Sequence, residues 1–371
     1  MNPEFADVPP YAKPGNETSI LCRFQAVAAK GILRHALPER FGGYGDDFAN
    51  LYRSHRSLGE ACRDPGLMLM VNAHVWGALF PILLYGDERQ RQQFLPPLLA
   101  GDWLSGHAIT EPSCGSDVQA MAGCAERNGE GFVLNGEKRY ITNVPLADWL
   151  VVYVKLEGRI SAFLVSRDDA GCKFSRAGAL DACQGSVTGS VMLEDCRLDA
   201  ARLLGKAGAG TQMIQKALEY ERAFVFAGIA GIMAWQLSEA VRHSRERRSG
   251  GVHLGRHQAI SHRIADMKLR LDTTDLWLRE CARLCDAGQR LTLASAQTKL
   301  YAAEAFLQSS LDAVQIMGAA ALEQGSAMAD LVQDALAGRL FSGSSEVQKN
   351  LIAALLGTGE AYRGSGLPGK P

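Results

Sequence analysis

Thr211-Gln-Met-Ile-Gln-Lys-Ala-Leu-Glu-Tyr-Glu221-Arg-Ala-Phe-Val-Phe-Ala-Gly-Ile-Ala-Gly-Ile232 decides the fold class and points to the chemistry. Ile214, Leu218, Val225, Gly228 and Ile232 recur at steps that place them on one stripe of a helix, and Glu221 falls on the same stripe. A carboxylate on a core-facing position is costly unless it is paired or functional. Burial would raise its pKa toward what a general base needs near neutrality. On these residues alone, a base and a structural partner of a buried Arg or Lys are equally supported.

Outward from this stretch, helical periodicity continues from Thr211 to Ser249 and returns over His257–Asp286, Thr292–Gly318 and Met328–Leu356, with glycine-containing loops between. That pattern predicts a four-helix bundle over residues 206–371. Before it, residues 104–205 change period. Gly131-Phe-Val-Leu-Asn-Gly-Glu-Lys carries a turn-forming Asn135-Gly136. Trp149–Val154 and Ile160–Val165 are short β-branched and aromatic runs, and Ser186–Glu194 alternates. A small antiparallel barrel or sandwich is expected there. Residues 1–103 read as a helical domain, with apolar spacing over Phe48–Cys62, Leu67–Leu84 and Arg89–Leu99 and a loose lead-in over the first fifteen or so residues. The fold expected is mostly α with a middle β domain.

Composition excludes several classes. Lys plus Arg is 39 and Asp plus Glu 40, a formal net charge of −1, which lacks the basic surplus that nucleic-acid phosphates demand. Nine scattered cysteines with no CxxC pair argue against a disulfide framework or zinc site and fit a reducing cytoplasm. The first residues show no signal-peptide pattern. Pro65–Gly86 has no charged residue and is long enough to span a bilayer, but Asn72, His74, Pro81 and acidic flanks favour a buried helix pair, so no membrane partner is expected. His253 and His257 lack a third ligand, so no metal is expected.

Three further segments carry polar chemistry. Thr110-Glu-Pro-Ser-Cys-Gly-Ser-Asp117 packs hydroxyls and small residues around a proline turn, a surface for a flat polar ligand or an ordinary Ser turn. Tyr140 and Thr142 share a strand face by alternation, which suits stacking on a planar ring plus one hydrogen bond, or a plain cross-strand pair. Phe341-Ser-Gly-Ser-Ser-Glu-Val-Gln348 interrupts a helical run. A capping box fails there, because Gly343 stands three before Glu346 and Ser345 three after Ser342.

Together these segments resemble the acyl-CoA dehydrogenase superfamily. The resemblance runs from Phe41-Gly-Gly-Tyr-Gly45 through Thr110–Asp117, Tyr140–Asn143, Glu246-Arg-Arg248, His257–Ser261, Asp312–Gly318 and Gly343–Gln348 to Leu356. It is nearest to the subgroup that oxidises aminoacyl groups, notably prolyl, on a carrier protein, through Glu221-Arg222 and Phe341–Gly343. The resemblance implies FAD, lined by Ile109, Thr110, Gly115 and Ser116, flanked by Tyr140 and Thr142, and completed by Ser344 and Glu346. Arg247, Ser249 and Gln258 would reach it from a second subunit of a homodimer or homotetramer, with Gln315 and Gly318 close by. Many members carry the catalytic Glu where this chain has Ser342. Others carry it on the first bundle helix, at Glu221, and this coincidence favours Glu221 as the base. Gly250-Gly251 and Ala319–Ala321 depart from the family's usual residues near the dinucleotide.

The implied reaction is α,β-dehydrogenation of an acyl or aminoacyl thioester. Ser342 would polarise the carbonyl through its backbone N–H, Arg222 and Ser116 would touch the substrate, and electrons would pass to an electron-transfer flavoprotein or oxygen. Alternatives are an acyl-CoA dehydrogenase of short or branched-chain catabolism, and a non-catalytic flavin-fold binding protein.

Overall fold

The computed structural model describes residues 5, 8, 17–176, 178, 180–323 and 325–359. Most of the expected lead-in lies outside them. The first helix, α1 (Glu17–Ala29), buries Ile20, Phe24, Val27 and Ala28, a helical spacing that the sequence reading passed over. It is followed by α2 (Phe48–Cys62), α3 (Pro65–His74), a π-helical turn over Val75–Leu79, α4 (Phe80–Tyr85) and α5 (Glu88–Ala100). Pro65–Tyr85 is long and apolar enough to cross a membrane, yet 83% of its apolar window is covered by the protein itself.

Eight strands follow: β1 (Ser105–Ala108), β2 (Cys124–Asn128), β3 (Gly131–Thr142), β4 (Trp149–Leu156), β5 (Arg159–Ser166), β6 (Cys172–Arg176), β7 (Thr188–Asp199) and β8 (Leu203–Leu204). They form one sheet in the order β6-β7-β3-β2-β4-β5-β8, with β1 parallel to β4. Asn135-Gly136 is not the hairpin turn expected of it. The β2–β3 turn lies at Gly129-Glu130, and Asn135-Gly136 sits inside β3, opposite an extra residue of β7 at Glu194-Asp195. Any side chain at Gly136 would meet Gly123 Cα at 2.8 Å, so the close approach of two backbones selects glycine there.

The remaining helices are α6 (Gly210–Phe224), α7 (Ala227–Glu246), α8 (Gln258–Asp286), α9 (Thr292–Met317), α10 (Ala327–Gly338) and α11 (Ser345–Leu355), with a short hairpin of β9 (Arg248–Ser249) and β10 (Val252–His253) before α8. Two expected single helices are each two. The first divides at Val225-Phe226, one turn beyond Glu221. The last divides over residues 339–344, where Ser342 and Gly343 hold φ of 56° and 84°, a left-handed backbone no helix continues through.

Two features set α6 in place. The rings of Phe48, Trp76, Phe80, Tyr220 and Phe224 form one cluster, with Trp76–Phe80 centroids 4.6 Å apart and Phe48–Phe224 5.5 Å apart, tying α6 to α2 and to the π-turn. Such ring pairs add roughly 0.5–1.5 kcal/mol each beyond area burial. Next to it, α2 and α7 touch backbone to backbone: a Cβ on Gly59 of α2 would fall 1.8 Å from the Gly228 carbonyl oxygen of α7.

The three layers also meet at a buried acid pair. Asp64 caps α3 and pairs with Arg23, while Asp334 of α10 accepts a hydrogen bond from Cys183 N at 2.5 Å. Burial, joined by the charge of Asp64 and opposed by the Cys183 N–H, pushes the Asp334 carboxyl up to about 7. The unfolded chain ionises this group near 3.8, so between that value and about 7 the folded state holds a proton the unfolded state has lost. Stability from this site is therefore present at low pH and falls as pH rises across that window. Asp334→Asn, which keeps the acceptor and removes the titration, is expected to raise stability by about 2 kcal/mol at pH 8 and by less than half of that at pH 5. Thermal melts at the two pH values check it, and an equal shift at both would contradict the account.

Candidate active site

Glu221 is 5% exposed, on the face of α6 that the apolar stripe predicts. Its Oε1 accepts a hydrogen bond of 2.6 Å from Ser342 Oγ. Its Oε2 is buried and has no hydrogen-bond partner, and among the described residues no Lys or Arg lies within 4.0 Å of the carboxylate. The structural ion pair weighed against a functional acid is thus not what the fold builds. Among the described residues, the one Lys, Arg or His within 4.0 Å is His107 of β1, with Nε2 3.8 Å from Oε2.

Ser342 does something the sequence did not announce: its hydroxyl, not only its backbone, faces the acid. The residue sits at φ 56° in the break between α10 and α11, and strained backbone of this kind persists only where its surroundings hold it. Gln348 braces the break by donating from Nε2 to the carbonyl of Gly343 at 2.9 Å. Contrary to the failed capping box, this segment does cap α11. The acting residue is Ser344, whose Oγ accepts from Val347 N at 3.4 Å, one position later than the pattern tested. Glu346 stands exposed in the first turn of α11.

Two cations border the acid. Arg222 is mostly buried with Nε unpartnered, and burial pulls its guanidinium below the ordinary value. Lys299 of α9 is fully buried with Nζ unpartnered. Burial, helped by the nearby Arg222, brings its ammonium down to about 8. The sequence reading singled out Arg222 and missed Lys299. A lysine amid Ala296, Ala302 and Ala303 on an apolar helix face was the available signal.

The second wall is β3 and the loop after β1. Ile109 is buried, Thr110 and Thr142 are half-buried, and Gly115 and Ser116 are exposed. The regular alternation of β3 is interrupted just before Tyr140. A bulge between Lys138 and Ile141 puts Tyr140 at φ 58° and leaves it 57% exposed, with the Arg139 guanidinium 5.2 Å from its ring centroid. Beneath this surface lies a pair the sequence reading also missed. Lys138, wholly buried, donates to Glu111 Oε1 at 2.7 Å and to the Ile109 carbonyl at 3.2 Å. Glu111 in turn accepts from Ala122 N and Gly123 N at 2.6 and 3.0 Å.

An aromatic ring held out from a strained strand, beside a rim of hydroxyls and small residues, fits a flat, polar, aromatic cofactor such as FAD. Groups of three His, Cys, Asp or Glu that could hold a metal are absent among the described residues. The remaining candidates lie apart from this wall in sequence and on the surface. Arg247 ends α7, Ser249 is exposed in the β9–β10 hairpin, Gln258 opens α8, and Gln315 and Gly318 are exposed at the end of α9.

The chain matches family models described as acyl-CoA dehydrogenase N-terminal domain over residues 6–102, middle domain over 106–196 and C-terminal domain over 208–357. An L-prolyl-[peptidyl-carrier protein] dehydrogenase of Pseudomonas fluorescens is 33% identical over 348 residues, covering 91% of this chain and 92% of that one. The mitochondrial isovaleryl-CoA dehydrogenase of Bos taurus is 32% identical, covering 87% and 77%. Among solved structures, the prolyl acyl carrier protein oxidase AnaB superposes with a TM-score of 0.89 at 31% identity, covering 91% and 90%. PigA with FAD and proline gives 0.92 at 28% identity, covering 97% and 96%.

Proposed function

We propose, for a chain that belongs to the acyl-CoA dehydrogenase family, that Glu221 is the base in α,β-dehydrogenation of an aminoacyl thioester, prolyl in the first instance, held on a carrier protein. The chain is an FAD-dependent oxidoreductase. The observation that carries the assignment of the base is the buried Glu221 carboxylate with one oxygen held and the other bare.

Glu221 Oε2 takes the α-proton of the thioester. Ser342 Oγ–H keeps the carboxylate turned toward the substrate, and burial excludes the water that would compete as acceptor. The backbone N–H of Ser342 polarises the thioester carbonyl, and a donor aimed at developing enolate charge contributes about 3–4 kcal/mol. Arg222 and Ser116 meet the substrate. Bound FAD supplies the acceptor for the hydride leaving the β-carbon. Ile109, Thr110, Gly115, Ser116, Tyr140, Thr142, Ser344 and Glu346 hold it on this chain, and Arg247, Ser249 and Gln258 hold it from a second copy in a homodimer or homotetramer, with Gln315 and Gly318 close by. Leu322, Leu340 and Leu356, 65–70% exposed on the helical domain, support such an assembly. Electrons leave to an electron-transfer flavoprotein or oxygen. Nine unpaired cysteines support a cytoplasmic location.

The relatives that act on prolyl carrier protein, by their names, motivate the substrate, and the similarity to isovaleryl-CoA dehydrogenase motivates a branched-chain acyl-CoA as the second reading. Anaerobic flavin bleaching separates them. L-prolyl carrier protein is expected to bleach the holoenzyme at least about tenfold faster than L-prolyl-CoA or isovaleryl-CoA, a difference worth about 1.4 kcal/mol of transition-state binding. Equal or faster bleaching by either CoA ester rejects the carrier-protein reading.

A further inference from the structure

Among the described residues, His107 is the one Lys, Arg or His that comes within 4.0 Å of the bare oxygen of Glu221, and its second ring nitrogen tells which proton it carries. Nδ1 is buried and has no hydrogen-bond partner among the described residues. It packs against the π-turn: a Cβ on Gly77 would lie 3.1 Å from Nδ1 and 2.9 Å from the His107 backbone nitrogen, so only glycine lets the ring seat there. A buried N–H without an acceptor is rarer and costlier than a bare acceptor. The hydrogen therefore sits on Nε2, which points at Glu221 Oε2 across 3.8 Å. In this tautomer His107 is a donor toward the acid and has no lone pair there to take its proton. The other charged groups shown to interact with Glu221 are Arg222 on its own helix and Lys299 on α9. None of the cations reaches the carboxylate within 4.0 Å.

We propose that His107 is a positioning residue for the base: its Nε2–H closes onto Glu221 Oε2 in the holoenzyme, so that Ser342 and His107 hold one carboxylate oxygen each and aim the acid at the α-carbon. The inference rests on Glu221 being the base. A small rotation of the acid about its Ser342 bond closes the gap, and hydrogen bonds of this kind are commonly long before the reacting complex forms. The π-turn acquires a purpose from it, since the extra residue in that turn and Gly77 are what admit the ring.

The test is a three-variant series on the holoenzyme with L-prolyl carrier protein as probe. His107→Phe keeps the ring shape without a donor. His107→Asn places an amide near the Nδ1 position, and His107→Gln places one near Nε2. Phe and Asn are expected to slow anaerobic flavin reduction about tenfold, the loss of one hydrogen bond to a charged group, with apparent KM and FAD content unchanged. Gln is expected to restore the rate to within about twofold. The Glu221 carboxylate stretch in the infrared, assigned by its disappearance in Glu221→Gln, is expected to move in His107→Phe and return in His107→Gln, which a merely structural histidine would not produce. An unmoved band in His107→Phe, or a Gln variant as slow as Phe, overturns the inference. If Glu221→Gln itself keeps the full reduction rate, the base assignment fails instead, while the band still reports whether His107 bonds the acid.

Discussion

Glu221→Gln is expected to lower the rate of anaerobic flavin reduction by roughly 10²–10⁴-fold, the range a positioned general base contributes, while leaving FAD bound and the fold intact. The amide matches the carboxylate in shape and still accepts the Ser342 hydroxyl at 2.6 Å, so neither packing nor the helix break is disturbed. What disappears is the basic oxygen, because an amide nitrogen at the Oε2 position has no accessible lone pair for the α-proton. Ser342→Ala is the matched control. It removes one hydrogen bond from the base and keeps the backbone N–H, and alanine at φ 56° is strained as serine is, so a loss of about tenfold is expected. Rapid-mixing absorbance with a saturating prolyl carrier protein reads both. Should Ser342→Ala prove the more damaging, or Glu221→Gln retain a tenth of the rate, the hydroxyl rather than the carboxylate holds the chemistry.

The elements that announced themselves in the sequence are those whose burial follows a single period. Glu221 was legible because α6 is a regular helix, so a stripe of apolar residues fixes what its neighbours face. β4 and β5, uninterrupted and apolar, were legible for the same reason. The reading failed where the backbone adds a residue or reverses hand. Asn135-Gly136 lies inside β3 opposite an extra residue of β7, so the hairpin was misplaced, and an extra residue at Arg139-Tyr140 interrupts the alternation of β3 itself. The helix break at Ser342-Gly343 showed as a run of small residues, but not that its hydroxyl would turn 121 residues back along the chain to Glu221. Contacts of that range depend on how α6 and the α10–α11 break pack together, which no local pattern encodes. His107 and Lys299 escaped because a single polar residue on a mostly buried element looks alike whether it is paired, orphaned or aimed at a substrate.

The other large effect concerns stability. Lys138→Met is expected to destabilise the protein by about 3–5 kcal/mol and to empty much of its flavin, because it strands Glu111 as a buried, uncompensated charge. Lys138 is fully buried and its 2.7 Å bond is the only ion pair Glu111 makes among the described residues. Burial works against the ionised acid, but the Lys138 ammonium and the Ala122 and Gly123 N–H groups outweigh it and hold the carboxyl below its ordinary value. Stability from that depressed value is complete above the unfolded value of about 4.5 and is lost as pH falls below it, so the wild type should soften on acidification more than the variant. The same pair fixes the loop at both ends, through the Ile109 carbonyl and through Ala122 and Gly123, and Thr110, Gly115 and Ser116 lie between those anchors. Adding Glu111→Gln to Lys138→Met removes the stranded charge while an amide oxygen still accepts one backbone N–H, so the double variant is expected to regain about half of the lost stability. Chemical denaturation of the three proteins, with flavin absorbance per polypeptide as the second readout, decides it. A double variant less stable than Lys138→Met, or a single variant within about 1 kcal/mol of wild type, would mean that the loop is held by its backbone contacts and not by the buried charge pair.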